Sequence, residues 1–193
     1  MNHVGKRLFI TGIPTSGKSY LAKILAEKVG GIAVILDDFR EGLSSDDRYK
    51  KWTNFYLDQD EKSYLSTTSS EKQWENLVAQ SEGLWPAILR EISKFKDESK
   101  PVIFECVNML PHLVKRDLGF NGVVLIGSTL EETIERNKKD PRWGNTIELQ
   151  EAEANMFFNV ERPHYKEEAL KYGYPTFERA DDAVEYCLNF FIK

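Results

Sequence analysis

The sequence predicts an α/β fold, three layers deep (αβα), with a five-stranded parallel sheet between helices. Three observations predict it. Short apolar runs recur five times along the chain, separated by segments of helical period. The run at 32–36, Ile-Ala-Val-Ile-Leu, is continuous rather than alternating, as in a parallel strand buried on both faces. The loop after the first run places glycines and a lysine at a phosphate-binding spacing, with a strand before it and a helix after it. The 193 residues suit one domain spanning 1–193, with a substrate insertion at about 41–70 and a lid at about 136–147.

The elements follow in order. Leu8-Phe9-Ile10 reads as a buried strand, and Leu21, Ile24, Leu25, Ala26 and Val29 carry the spacing of a helix face. Between them Gly12-Ile13-Pro14-Thr15-Ser16-Gly17-Lys18-Ser19 fits G-x-x-x-x-G-K-[ST], the phosphate loop of nucleoside triphosphatases. Gly12 and Gly17 let the backbone bend toward an anion, and the amides of the loop and of the following helix N-terminus favour negative charge. Lys18 is placed to reach the β- and γ-phosphates and the Ser19 hydroxyl to ligate Mg²⁺. The nucleotide-binding set is Gly12, Thr15, Ser16, Gly17, Lys18, Ser19 and Tyr20, joined by Arg136 from the lid.

The second strand, 32–36, ends in Asp37-Asp38-Phe39-Arg40. Residues 41–70 are charged, with Trp52, Phe55, Tyr56 and Tyr64 interleaved. They read as an irregular or partly helical insertion whose aromatics either flank the site or pin the insertion to the core. Ser70-Glu71-Lys72-Gln73 has the spacing of a capping box, and helical spacing follows, with Gly83 and Pro86 expected to divide or kink the helix and Trp85 in the core. A third strand, 101–107, ends near Glu105. A short helix opens at Pro111, and 122–126 is the fourth strand. A helix from Thr129 to about Lys139 turns Leu130 and Ile134 inward, and 140–145 breaks it. Residues 147–171 read as helix interrupted near Pro163, 175–178 as a short fifth strand, and Ala183, Val184, Cys187, Leu188 and Phe191 as the closing helix.

In a sheet of this kind ligands sit beyond the carboxyl ends of the strands, which gathers the phosphate loop, Asp37, Asp38, Arg40 and Glu105 on one rim. Asp37 is placed to accept the proton of an attacking hydroxyl, and Asp38 and Arg40 to bind the acceptor. The competing role is structural: Asp37 and Asp38 capping the next segment, Arg40 solvated. Glu105 is a metal ligand or water-orienting group, or a carboxylate paired at a strand end. Arg142, between Pro141 and Trp143, is the first choice for a cation closing over the transferring phosphoryl group, with Arg136, Lys138 and Lys139 beside it.

Composition excludes some classes. A net charge of −5 gives no basic face for long nucleic acid. Only Cys106 and Cys187 are present, so a disulfide framework is not expected. No apolar run approaches the about 20 residues of a membrane span and no signal peptide is visible, so the expected location is cytoplasmic. His3, His112 and His164 lack ligand spacing. Asn137-Lys138-Lys139-Asp140 spells the guanine-specifying N-K-x-D, but a helix separates it from its strand and no D-x-x-G is present, so it reads as chance.

With GIPTSGKS, DDFR and a basic lid after the fourth strand, the chain resembles the small P-loop kinases. It is most similar to the polynucleotide-kinase-like group, and also resembles the zeta-toxin and chloramphenicol-phosphotransferase kinases. Uridine and nicotinamide-riboside kinases share the acidic motif after strand two. The resemblance implies the P-loop NTPase fold, ATP and Mg²⁺ as cofactors, and a general base at the first Asp of D-D-[YF]-R, hence Asp37. It also implies a substrate-contacting Arg at Arg40 and a lid Arg at Arg142. The chain departs from the pattern at Thr15, where those kinases often have Gly, and at Glu105, where they carry Asp. The expectation is phosphoryl transfer from ATP to a small hydroxyl-bearing acceptor; the alternative is a nucleotide-binding switch or scaffold with little turnover.

Overall fold

The computed structural model describes residues 5–53 and 60–192. Its centre is a five-stranded sheet of β1 (Arg7–Gly12), β2 (Ile32–Ile35), β3 (Val102–Glu105), β4 (Asn121–Leu125) and β5 (Thr176–Phe177), in the order β2-β3-β1-β4-β5. Every pairing is parallel. β1 is central, so its side chains are buried alternately on the two faces. Phe9 joins Phe104 in one core, while Leu8 and Ile10 join Ile103 in the other. In register, Phe9 lies opposite Phe104 on one side and Gly122 on the other. A Cβ at Gly122 would come within 2.2 Å of the Phe9 ring, so that glycine is required by close approach.

One face carries α1 (Lys18–Val29) and α10 (Ala180–Ile192), which pack on each other through Leu21, Ala22, Leu25, Ala183 and Cys187. The other face carries the larger core, built from α5 (Ser70–Ser93), α6 (Pro111–Asp117) and α9 (Arg162–Tyr172). Between them in sequence run α2 (Leu36–Glu41), α3 (Lys50–Thr53), α4 (Glu61–Thr67), α7 (Leu130–Lys139) and α8 (Ile147–Asn155). Among the described residues no helix is long and apolar enough to cross a membrane.

Several expectations are corrected. β2 is half-exposed rather than buried on both faces, because it is an edge strand paired only with β3. Leu36 leaves that strand and opens α2, which places Asp37 and Asp38 in a first helical turn, where carboxylates suit the dipole. The helix start at 70 is capped by Ser69, whose Oγ accepts from Lys72 N, so there is no reciprocal capping box. The following helix is one unit of 24 residues, undivided at Gly83 and Pro86. Pro86 and Glu82 are exposed, so the carbonyl that Pro86 leaves unbonded faces water while Leu84, Trp85, Ala87 and Ile88 hold the helix to the core. Trp85 is buried as expected, its indole N–H donating to Asp117 Oδ2 at 2.6 Å. In α7 the buried side chains are Thr133 and Asn137, with Leu130 and Ile134 only half-buried. These polar groups donate inside there: Thr133 to the Thr129 carbonyl, and the Asn137 amide nitrogen to the Gln150 carbonyl and Glu153.

The described residues of the insertion form short helical pieces: a 3₁₀ turn at Gly42–Ser45, then α3 and α4. Tyr64 is buried, and Trp52 packs on the helix at Gly83, where a Cβ would lie 2.2 Å from the indole. Tyr49, Trp52 and Tyr64 therefore bear on the core; Phe55 and Tyr56 lie outside the described residues. The interruption near Pro163 is a π-helical segment, Met156–Glu161, running straight into α9.

Candidate active site

The loop after β1 adopts the conformation its sequence demands. Gly12 has φ +127°, and a Cβ there would meet the Leu125 carbonyl oxygen at 1.9 Å. Its glycine is therefore set by the neighbouring strand, not by an anion. Gly17 has φ +92° and caps α1 in the left-handed conformation. Thr15 is the one non-glycine with positive φ among the described residues, at 61°. A β-branched residue bears the strain there. Ser16 is buried and donates to the Ile13 carbonyl at 2.8 Å. Lys18 Nζ donates to the same carbonyl, also at 2.8 Å, so the loop and its lysine enclose one turn of backbone.

The loop forms one wall of a cleft of about 700 Å³. The sequence-read site residues line it, apart from Gly12, Ser16 and Lys138. Tyr20 stands half-exposed at the rim with its hydroxyl on Asp181 at 3.1 Å. Ser19 and Glu105 come together: the serine hydroxyl donates to Oε2 at 2.9 Å. The other oxygen, Oε1, is buried without a hydrogen-bond partner, and the residue is 1% exposed. Burial pushes this carboxyl up to about 7, against the opposing charge of Lys18, and Asp37 raises it further. An orphaned carboxylate oxygen beside a serine hydroxyl and a phosphate loop fits a divalent cation, which would satisfy the one and draw the other. Mg²⁺ keeps several waters, so few protein oxygens suffice.

Asp37 lines the same cleft, partly exposed, and accepts from the Cys106 thiol at 3.3 Å. Arg40 stands 3.7 Å from the same carboxylate oxygen and donates to Asn108 Oδ1 at 3.0 Å. Asn108 in turn donates to Ser81 at 2.9 Å, and Gln80 donates to the Trp52 carbonyl at 2.8 Å. This buried network fixes the acidic motif against α5 and ties the insertion to it.

From α7 to Arg142 the cleft carries several cations. Arg136 Nη1 reaches the Thr15 carbonyl at 3.0 Å, and its other nitrogen pairs with Glu132. Arg142 pairs with Asp140 at 3.4 Å, and its charge is felt at Glu105. Lys139 lines the cleft; Lys138 instead pairs with Glu151 at 2.6 Å. The base of the lid is pinned by Glu153, which accepts from Gly144 N at 2.6 Å and from Asn137 at 2.7 Å. Asn137 is therefore a structural residue, and the N-K-x-D string has no base-reading role.

Two groups escaped sequence reasoning. Arg179, between β5 and α10, lines the lid side 4.0 Å from Glu132. Glu161, the last residue of the π-helical segment, lines the cleft yet is 4% exposed, with Oε2 buried and unpartnered. Burial pushes its carboxyl up to about 7, opposed by Lys18. The sequence signal was indirect: a helix interruption before Pro163, of the kind that often marks a functional site.

No protein-family model matches the sequence, and no curated protein matches it. Solved structures do. Shikimate kinase from Acinetobacter baumannii, in complex with shikimate, superposes with TM-score 0.58 at 14% identity, over 98% of this chain and 94% of that one. TT1252 from Thermus thermophilus gives 0.55 at 18% identity, over 98% and 97%. Shikimate kinase from Bacteroides thetaiotaomicron gives 0.53 at 14% identity, over 97% and 99%. The chain has the αβα fold of the small P-loop kinases, with a cleft at the carboxyl edge of the sheet.

Proposed function

We propose that this protein is an ATP- and Mg²⁺-dependent phosphotransferase that moves the γ-phosphoryl group to a hydroxyl of a small acceptor. The observation that carries the reading is the meeting of two groups of residues in one cleft. The loop brings Lys18 and Ser19, the serine bonded to Glu105, and the start of α2 brings Asp37 beside them. A switch needs only the loop; a kinase needs both.

The loop amides and Lys18 bind the triphosphate, Lys18 exchanging the Ile13 carbonyl for phosphate oxygens. Ser19 and Glu105 would hold Mg²⁺, which when bound supplies positive charge against the phosphates. Asp37 orients the acceptor hydroxyl and takes its proton as the oxygen attacks phosphorus. Arg40 keeps Asp37 in place through its contacts with Asp37 and Asn108, on the side of the cleft where the acceptor binds. Arg142 and Arg136 close over the transferring group and exclude water. The finer resemblance to polynucleotide-kinase-like and zeta-toxin-like enzymes rests on GIPTSGKS and DDFR. The likeness to solved kinases supports the architecture in which these roles are read.

Asp37→Asn tests the reading. The amide keeps an oxygen for the Cys106 thiol, so the fold and nucleotide binding should persist while phosphoryl transfer falls roughly 10²–10⁴-fold. Transfer at the wild-type rate would remove Asp37 from the chemistry and favour a scaffold or switch.

A further inference from the structure

The two halves of the cleft differ in charge. Over β4 and β5 four cations, Arg136, Lys139, Arg142 and Arg179, outnumber the acids Glu132, Asp140 and Asp181, and Lys18 of the loop adds to them. Over β2 and β3 the acids Asp37, Asp38, Glu41 and Glu105 prevail, and Glu161 lines the same cleft. The acidic half contains one guanidinium, Arg40, and that is engaged by Asp37 and Asn108. The cationic half suits a triphosphate. The acidic half repels an anionic acceptor.

Glu161 sharpens this. A buried carboxyl with an unpartnered oxygen is costly, and is retained where a ligand satisfies it. It cannot easily turn away. Arg162 Nε donates to the Ile126 carbonyl at 3.1 Å, and Tyr165 donates to the Val107 carbonyl at 2.7 Å, which pins the backbone on either side of Pro163. The cation whose charge reaches Glu161 is Lys18. On the phosphotransfer reading, ATP draws Lys18 to its phosphates and leaves Glu161 without a counter-charge when the acceptor arrives.

We infer that Glu161 recognises an ammonium group, and that the acceptor is a hydroxyl compound bearing an amine. The inference rests on the phosphotransfer reading for its hydroxyl, but the ammonium subsite stands on the charge distribution and on Glu161 itself. A charge-assisted hydrogen bond from the ammonium to the orphaned carboxylate stabilises the bound acceptor more than a neutral hydroxyl does. Glu161 touches the acceptor away from the reacting oxygen, so it sets specificity and KM rather than the chemical step.

The experiment uses the full chain with matched hydroxyl compounds: glucose, glucosamine and glucuronate, then ethylene glycol, ethanolamine and glycolate. Stimulated ATP consumption and equilibrium binding are both measured. The amine-bearing member of at least one set should be preferred about tenfold or more over its neutral counterpart, with the carboxylate ineffective. Glu161→Gln, of the same shape, should raise KM for the amine about tenfold, leave kcat and ATP binding little changed, and erase the preference over the neutral compound. Glu161→Lys, if folded by circular dichroism, should repel the amine altogether. Preference for the carboxylate, an equal response to all members, no binding of any amine, or a Glu161→Gln effect identical for neutral and amine compounds would overturn the inference. Amine-selective binding lost in Glu161→Gln without any phosphate transfer would uphold the ammonium subsite and remove the phosphotransfer reading instead.

Discussion

At the scale of single residues, Thr15 and Glu105 show how the cleft holds strained and orphaned groups before any ligand arrives. Thr15 sits at φ 61° with its Oγ1 buried and unpartnered. A β-branched residue in that conformation costs roughly 1–2 kcal/mol, while glycine there adds unfolded-state entropy of up to about 1 kcal/mol. Thr15→Gly should therefore leave stability unchanged or raise it by up to about 1 kcal/mol, read by denaturant melts. A loss above about 1 kcal/mol would mean that the threonine side chain supports the loop. Both glycines of the phosphate loop were legible as a motif, but the reason for Gly12, a carbonyl of β4 at 1.9 Å from its absent Cβ, was not. Local sequence cannot state which strand lies next door.

At the scale of elements, the acidic motif belongs to a helix start rather than a strand end, and its position depends on α5. Gly83 lets the Trp52 indole lie against that helix, and Gln80 bonds the Trp52 carbonyl, so the helix clamps the insertion beside the cleft. Gly83→Ala would place a methyl 2.2 Å from the indole. Overpacking of this kind costs about 1–3 kcal/mol, less about 1 kcal/mol regained in helix propensity. The expected result is a lower Tm and a raised acceptor KM with unchanged ATP binding. Gly83 was read from sequence as a helix breaker because propensity alone disfavours glycine there; packing of a distant tryptophan reverses that argument. The lid offers a second test. Arg142→Ala removes a cation whose charge reaches Glu105, and turnover should fall by more than about 10²-fold with nucleotide affinity little altered. An unchanged rate would assign the closing cation to Arg136 or Arg179.

At the scale of the whole molecule, burial of acids shapes the pH response. Glu105 and Glu161 have their pKa raised from 4.5 to about 7 in the folded chain. Between those pH values the folded state binds more protons than the unfolded state, so stability falls as pH rises through that window and is level above it. Each group contributes a loss on the order of 3 kcal/mol. The protein without nucleotide should melt at a higher temperature at pH 5 than at pH 7.5, and Glu105→Gln with Glu161→Gln should reduce that slope, leaving the share of Glu61, which burial and Glu153 raise to about 8. A Tm that climbs steadily from pH 5 to 7.5 in the wild type would contradict the burial of these carboxyls in the native state.

The chain by itself determined the alternation of strand and helix, the phosphate loop and the acidic motif. These are set by neighbours within a few residues: apolar runs, glycine at fixed spacing, carboxylates at an element's end. Only the tertiary structure decided that β2 is an edge, that one helix runs through Pro86, and that Glu161 enters the cleft. Each of those depends on which distant segment occupies the adjoining space, and burial, unlike periodicity, is a property of the packed whole.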